Sequence, residues 1–370
     1  MNRDMHTPDG VRDVYGNELK EKRRIEDAIL KQMQRYGYRE IKPPTFEYFN
    51  VFRKEWSGIS ARDLFKFFDK EGNTLVLRPD FTPQIARCIC QLAQNEERSY
   101  RLCYVGDTFT NISELQGKLK ETTQAGAEFF SDDSVYADAE MIALLISVLQ
   151  AAGLSEFQIS IGHAAFFHGI CVERNLPQEE EDAIRALIAD NNYFAAEKKM
   201  LDAGIDDTCR EILLKISDFV GSAEELEKLR SAAGNEISLA AIDRLSSLYD
   251  ALAAYGMQQY VSFDLGMLTK HHYYTGITFE AYTYGVGDAI AKGGRYDNLP
   301  ARFGKAMPAI GFAVMVDELL SALLRQGEPA ETKECEVIRF NDDSFEEALQ
   351  KAQALRAEGR DVALDYEKQA

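Results

Sequence analysis

Three things are scarce in this chain of 370 residues: long apolar runs, cysteines at paired spacings, and positive charge. No apolar run approaches the roughly 20 residues that a bilayer-crossing helix needs. The opening residues, MNRDMHTPDG, hold no apolar signal core. Both absences argue against a membrane or secreted protein and for a cytoplasmic one. The six cysteines are Cys88, Cys90, Cys103, Cys171, Cys209 and Cys335. They offer one C-x-C and no second pair at zinc spacing, so no metal site is expected. In a reducing compartment they read as small buried hydrophobes. The formal net charge is −19. A protein that grips a tRNA backbone displaces counterions with lysine and arginine, so this total argues against tRNA as a partner. It is compatible with a basic protein partner.

What is present is ordinary for a globular protein: 45% hydrophobic and 28% charged residues, enough for one large domain and something smaller. After the Pro8-Asp9-Gly10 turn, Leu19, Ile25, Ala28, Ile29, Met33 and Tyr36 recur near helical spacing. They predict a helix over 18–36, ended by Gly37. A short strand then runs into Pro43-Pro44. Residues 63–70 and 73–78 flank Glu71-Gly72 as a hairpin, and 82–95 reads as helix. Strands near 101–109 and 122–130 bracket a polar loop. A helix over 135–152 is capped by Gly153, and a strand follows at 157–161.

From about 177 to 255 strand signals vanish and Ala, Glu, Leu and Lys dominate, which predicts a helical insertion. Strands are expected at 259–265, 277–284 and 287–292, with Gly285-Val-Gly-Asp288 as a hairpin turn. The turn is preferred there to a phosphate loop, because strand follows strand where that motif needs a helix. A helix over 314–325 closes the main domain, 1–325. Residues 326–333 read as a linker and 334–370 as a partial C-terminal βαβ segment. Strand pairs joined by short turns imply an α+β fold with a mainly antiparallel sheet.

Seven short segments then appear in a telling order. They are Thr7-Pro-Asp-Gly-Val-Arg-Asp, Gly-Tyr-Arg-Glu-Ile-Lys-Pro-Pro at 37–44, and Leu-Arg-Pro-Asp at 77–80. Gln-Ala-Gly-Ala-Glu at 124–128, Tyr-Tyr-Thr-Gly at 273–276, Gly-Gly-Arg-Tyr-Asp at 293–297 and Ile-Gly-Phe-Ala at 310–313 follow. Each is weak alone; together, over about residues 6–325, they resemble the catalytic domain of histidyl-tRNA synthetases. The resemblance implies the class II aminoacyl-tRNA synthetase fold, a mainly antiparallel sheet flanked by helices, and self-association through the first motif region. It implies a histidine pocket made of Asp80, Thr82, Gln124, Glu128, Tyr273 and Tyr274. Asp80 would meet the amino group, and the two tyrosines would stand near the imidazole. The chemistry is sound, since an ammonium wants a carboxylate and an imidazole wants acceptors and an aromatic wall. Gln124 and Glu128, four apart on a strand, share one side. Two adjacent tyrosines on a strand are more often plain core; beside these acidic partners the pocket reading is preferred. His271-His272 face opposite sides of a strand and read as pocket edge and core or surface.

The departures from that family bear on function. Where the enzymes place arginines on nucleotide phosphates, this chain has Thr110, Thr269 and Glu318, and Ile112 stands where they carry a glutamate. Phosphoryl charge needs cationic donors, and removing one such donor costs about 3 kcal/mol in comparable enzymes. Lys118, Lys120 and Lys270 lack the planar fork that clamps a phosphate. Residues 333–370 resemble only the beginning of an anticodon-binding domain. The pattern is similar to the regulatory subunits of ATP phosphoribosyltransferase, which share Leu-Arg-Pro-Asp-Phe-Thr. That resemblance implies a non-catalytic protein of histidine biosynthesis with no cofactor. It would join a short-form catalytic subunit, be needed for its activity, and serve feedback inhibition by L-histidine. The competing expectation is a catalytically active histidyl-tRNA synthetase.

Overall fold

The computed structural model describes residues 5–53, 58–93, 98–112, 118–189, 192–205, 207, 210, 213–214, 219–231, 234–267, 274–327 and 335–367. The first helix, α1 (Gly16–Arg35), buries Ile25, Ile29 and Met33 at i, i+4, i+8. That stripe faces the core, and each such side chain contributes about 1.5–3 kcal/mol on burial. Strands β1 (Arg39–Glu40), β2 (Phe46–Tyr48), β3 (Lys66–Phe68) and β4 (Thr74–Leu77) follow, then α2 (Thr82–Leu92). The long hairpin of β5 (Tyr100–Phe109) and β6 (Glu121–Phe130) leads to α3 (Val135–Ala152). Ser134 caps α3 by accepting from the Ala137 N–H at 3.2 Å, and Gly153 ends it at φ +106°. By length and composition α3 could cross a bilayer, but 72% of it is buried inside the fold, where it is a core helix.

Next come β7 (Gln158–His163), α4 (Ala164–Glu173), α5 (Gln178–Ala189), α6 (Tyr193–Asp202), β8 (Val220–Gly221), α7 (Ala223–Lys228) and α8 (Glu236–Ala254). The expected helical insertion therefore carries one short strand, β8, which adds to an edge of the main sheet. The last part of the domain is β9 (Val261–Asp264), β10 (Ile277–Tyr282), β11 (Ala291–Arg295), β12 (Ala309–Met315) and α9 (Val316–Gln326). Finally β13 (Glu336–Phe340) and β14 (Val362–Tyr366) pair in parallel, joined through α10 (Phe345–Ala357).

Among the described residues nine strands form one sheet in the order β1-β5-β6-β12-β11-β10-β7-β9-β8. Its pairings are antiparallel except β1 with β5 and β7 with β9. Period-two alternation gives this sheet two unlike faces. One carries Ala125, Ala127, Phe129, Ile310, Phe312, Val314, Ile277, Phe279, Ile159 and Ile161, all buried in one cluster with α1, α3 and α8. The other carries Glu128 and Gln124 of β6, Gly311 and Ala313 of β12, Lys292 and Gly294 of β11, and Thr278 and Glu280 of β10, set in register. Small and polar residues there leave an open floor beside Tyr104, Phe130, Tyr296 and Ala309, which pack under α2.

Three expectations are corrected. The strand placed at 287–292 lies at Ala291–Arg295, and the tight turn at 285–288 is part of a longer connection. That connection is held from outside, where Gln326 Nε2 donates to Tyr284 O at 3.0 Å and to Thr283 Oγ1 at 2.9 Å. The helix expected from 314 begins at Val316, because 309–315 is a central strand buried on both faces.

Candidate functional site

On the open face, β6 presents Gln124 and Glu128 to the same side, as their spacing requires. Glu128 is 1% exposed. Thr82, at the start of α2, donates its hydroxyl to Glu128 Oε1 at 2.7 Å, and the Tyr296 hydroxyl donates to Glu128 Oε2. Burial pushes the Glu128 carboxyl up to about 8; the hydrogen bonds from Tyr296 and Thr82 pull it back, and the charge of Asp80 adds to the rise. Without a ligand this group holds its proton at neutral pH. Asp80 Oδ1 accepts from the Thr82 N–H at 3.3 Å, which fixes the turn into α2.

Two glycines make this arrangement sterically possible. A Cβ on Gly311 would lie 1.7 Å from Glu128 Oε2, so the carboxyl lies flat across β12 only because nothing stands there. A Cβ on Gly294 would meet the Tyr274 ring at 2.7 Å, so the ring lies over β11 for the same reason. The result is a cavity of about 130 Å³ lined by Asp80, Thr82, Gln124, Tyr274, Lys292 and Tyr296, among others. A cavity of about 150 Å³ admits benzene, so this one, slightly smaller, is on the scale of a single small ring. Gln124 Oε1 is buried and finds no hydrogen-bond partner among the described residues, as does the Tyr104 hydroxyl nearby. Such groups are costly unless something fills the site.

The structure thus brings Asp80, Thr82, Gln124 and Tyr274 to one cavity and sets Glu128 against it through Thr82 and Tyr296. Tyr273 lies outside the described residues, as do Thr269, Lys270, His271 and His272. Thr110 follows directly on β5, and its N–H donates to Lys120 O at 2.8 Å. Glu318 is exposed in the first turn of α9. Among the described residues no group of three or more His, Cys, Asp or Glu could hold a metal.

Sequence reasoning missed Tyr296 and Lys292. The signal was there: in Lys292-Gly-Gly-Arg-Tyr-Asp297, alternation sends Lys292, Gly294 and Tyr296 to the open face and Arg295 to the core. Arg295 meets the fully buried Asp138 of α3, Nη2 to Oδ1 at 2.5 Å, while Arg244 Nε donates to Oδ2 at 2.6 Å. Asp297 accepts from the Ala309 N–H at 2.9 Å and from Thr275 Oγ1 at 3.0 Å. The motif anchors β11 on both sides of Tyr296 and so aims that hydroxyl at Glu128.

A mainly antiparallel sheet with most of its helices on one face, and with α2 and this cavity on the other, defines a protein of the class II synthetase type. The histidyl-tRNA synthetase family model matches residues 10–319. The "ATP phosphoribosyltransferase regulatory subunit" of Acetivibrio thermocellus is 37% identical over 362 residues, covering 98% of this chain and 87% of the relative. The protein of that name from Caldanaerobacter subterraneus subsp. tengcongensis is 38% identical, covering 97% and 94%. A solved Bacillus halodurans "ATP phosphoribosyltransferase regulatory subunit/histidyl-tRNA synthetase" superposes with a TM-score of 0.86 at 32% identity, covering 98% and 93%. The chain belongs to the ATP phosphoribosyltransferase regulatory subunits, a family built on the histidyl-tRNA synthetase fold.

Proposed function

We propose that this chain is a non-catalytic subunit that binds free L-histidine in the cavity on the open face of the sheet. Through that ligand it regulates a short-form ATP phosphoribosyltransferase catalytic subunit in the first step of histidine biosynthesis. The observation that carries the reading is the buried Glu128 carboxyl, held by Thr82 and Tyr296 at the closed end of a cavity whose rim carries Asp80 and Gln124. An imidazole nitrogen can exchange a hydrogen bond with the Glu128 carboxyl, and Asp80 supplies the counter-charge for an ammonium. Tyr274 is the aromatic wall; Tyr273 is assigned to the pocket on the resemblance alone. The catalytic subunit needs this partner for activity, and histidine inhibits by binding with different affinity to the active and inactive arrangements of the complex.

Adenylate chemistry is set aside because Thr110, Thr269 and Glu318 stand where the synthetases hold phosphate, and tRNA because the net charge is −19. Self-association is assigned to the first motif region. There the three-stranded sheet β2-β4-β3 exposes Phe46 and Tyr48, with Phe67 at 37% exposure.

Reconstitution tests the reading. Mixing the chain with a short catalytic subunit is expected to yield a complex with raised phosphoribosyltransferase activity that falls on adding histidine. In calorimetric titration, L-histidine should bind wild type and lose at least tenfold in affinity with Glu128→Ala. Equal binding by both proteins sinks the pocket, and histidine-dependent ATP–pyrophosphate exchange sinks the non-catalytic reading.

A further inference from the structure

Among the described residues lining the cavity, the charged side chains are Asp80 and Lys292. Lys292 stands two residues before Gly294 on β11, so it points to the open face. Across the strand pair it opposes Glu280, and its Nζ donates to Glu280 Oε1 at 3.2 Å. Lys292 lines the cavity, with 39% of its side chain exposed against 13% for Glu280. The Tyr282 hydroxyl also donates to Glu280 Oε2 at 2.5 Å, so the glutamate keeps a partner when Lys292 turns toward a ligand, and an ammonium has two further N–H donors. The residues in register between Lys292 and β6 are Ala313 and Gly126, and neither side chain blocks the way. On β6 the buried Gln124 Oε1, which has no partner among the described residues, is an acceptor and suits the ligand's ammonium rather than its carboxylate.

A free amino acid is a zwitterion, and Asp80 matches only its ammonium. Its carboxylate enters a site where the charged Asp80 disfavours it unless a cation answers. We propose that Lys292 binds the α-carboxylate of the amino acid in this cavity and so selects free amino acids over amines that bear the same side chain. This rests on the cavity being the amino-acid site. In that role Lys292 exchanges part of its contact with Glu280 for a charge-assisted hydrogen bond inside the cavity.

The test is a calorimetric comparison of L-histidine with histamine, which keeps the imidazole and the amine and lacks the carboxylate. It uses wild type, Lys292→Met and Lys292→Arg. Wild type should bind histidine at least tenfold tighter than histamine. Lys292→Met should lose about tenfold or more for histidine, stay within about threefold for histamine, and keep its thermal midpoint; Lys292→Arg should recover most of the loss. Histidine affinity unchanged in Lys292→Met, or equal losses for both ligands, overturns the assignment while the pocket stands. A wild type that ignores histidine overturns the pocket and this assignment together.

Discussion

The two faces of the central sheet are made from the same strands and solve opposite problems. On the core face, Ala127, Phe279, Ile310 and Phe312 are closed over by α1, α3 and α8. The one cation in that run of β11, Arg295, is held by Asp138. On the open face the same strands carry Glu128, Gln124, Lys292 and glycines, and the polar groups there are incompletely partnered or paired weakly. Among the described residues no buried polar side chain on the core face of these strands lacks a partner, while the open face keeps hydrogen-bonding capacity in reserve. The difference teaches where free energy is committed to the fold and where it is held for a ligand.

The largest expected effect breaks the core face. Asp138→Ala leaves the buried Arg295 with Asp297 at 3.3 Å as its remaining carboxylate and removes the carboxylate partner of Arg244, and should cost about 3–5 kcal/mol in denaturant unfolding. A loss below about 1 kcal/mol would mean that the buried pair does not anchor β11.

Next comes a change that should help stability on the open face. The folded-state value of Glu128 is raised to about 8 from the ordinary 4.5. Below pH 4.5 both folded and unfolded chains hold this proton, and the group has no pH-dependent cost. As pH rises from 4.5 toward 8 the unfolded chain releases the proton and the folded one does not, so stability falls across that window by up to a few kcal/mol. Glu128→Gln should remove this slope, so its thermal midpoint should exceed that of ligand-free wild type at pH 8 and match it near pH 4.5. Parallel pH profiles for the two proteins would show that the carboxyl is ionised in the fold.

The smallest expected effect sharpens the contrast. Gly311→Ala places a methyl group where the Glu128 carboxyl lies and should cost about 1–3 kcal/mol by overpacking. Histidine binding should fall at least tenfold with it. Full affinity in that variant would show that the closed end of the cavity tolerates a displaced carboxyl.

How much of this was legible depended on period. α1 and α3 were readable because their apolar spacing is helical and their ends carry Gly37 and Gly153. The β5–β6 hairpin was readable because alternation survives on both strands. β12 was not read as a strand, and its last two residues fell within the helix expected over 314–325, since Ala309–Met315 is apolar on both faces and gives no alternation. The 283–290 connection read as a tight turn because its stitching to Gln326 is distant in sequence. Asp80, Thr82, Gln124, Glu128 and Tyr274 were singled out by family resemblance, not by spacing; Tyr296 and Lys292 were not singled out at all.

By itself the sequence determined the secondary-structure periods, the acidic surface and the family, because these are local or additive properties of the residues. Which polar groups face one another was decided only by the tertiary structure. Thr82, Glu128 and the Lys292–Tyr296 segment come from three different elements; strand register sets β6 beside β12 and β11, and packing of α2 on the sheet brings Thr82 to the same cavity. Register is fixed by burial of the opposite face, so the core decides where the site can be.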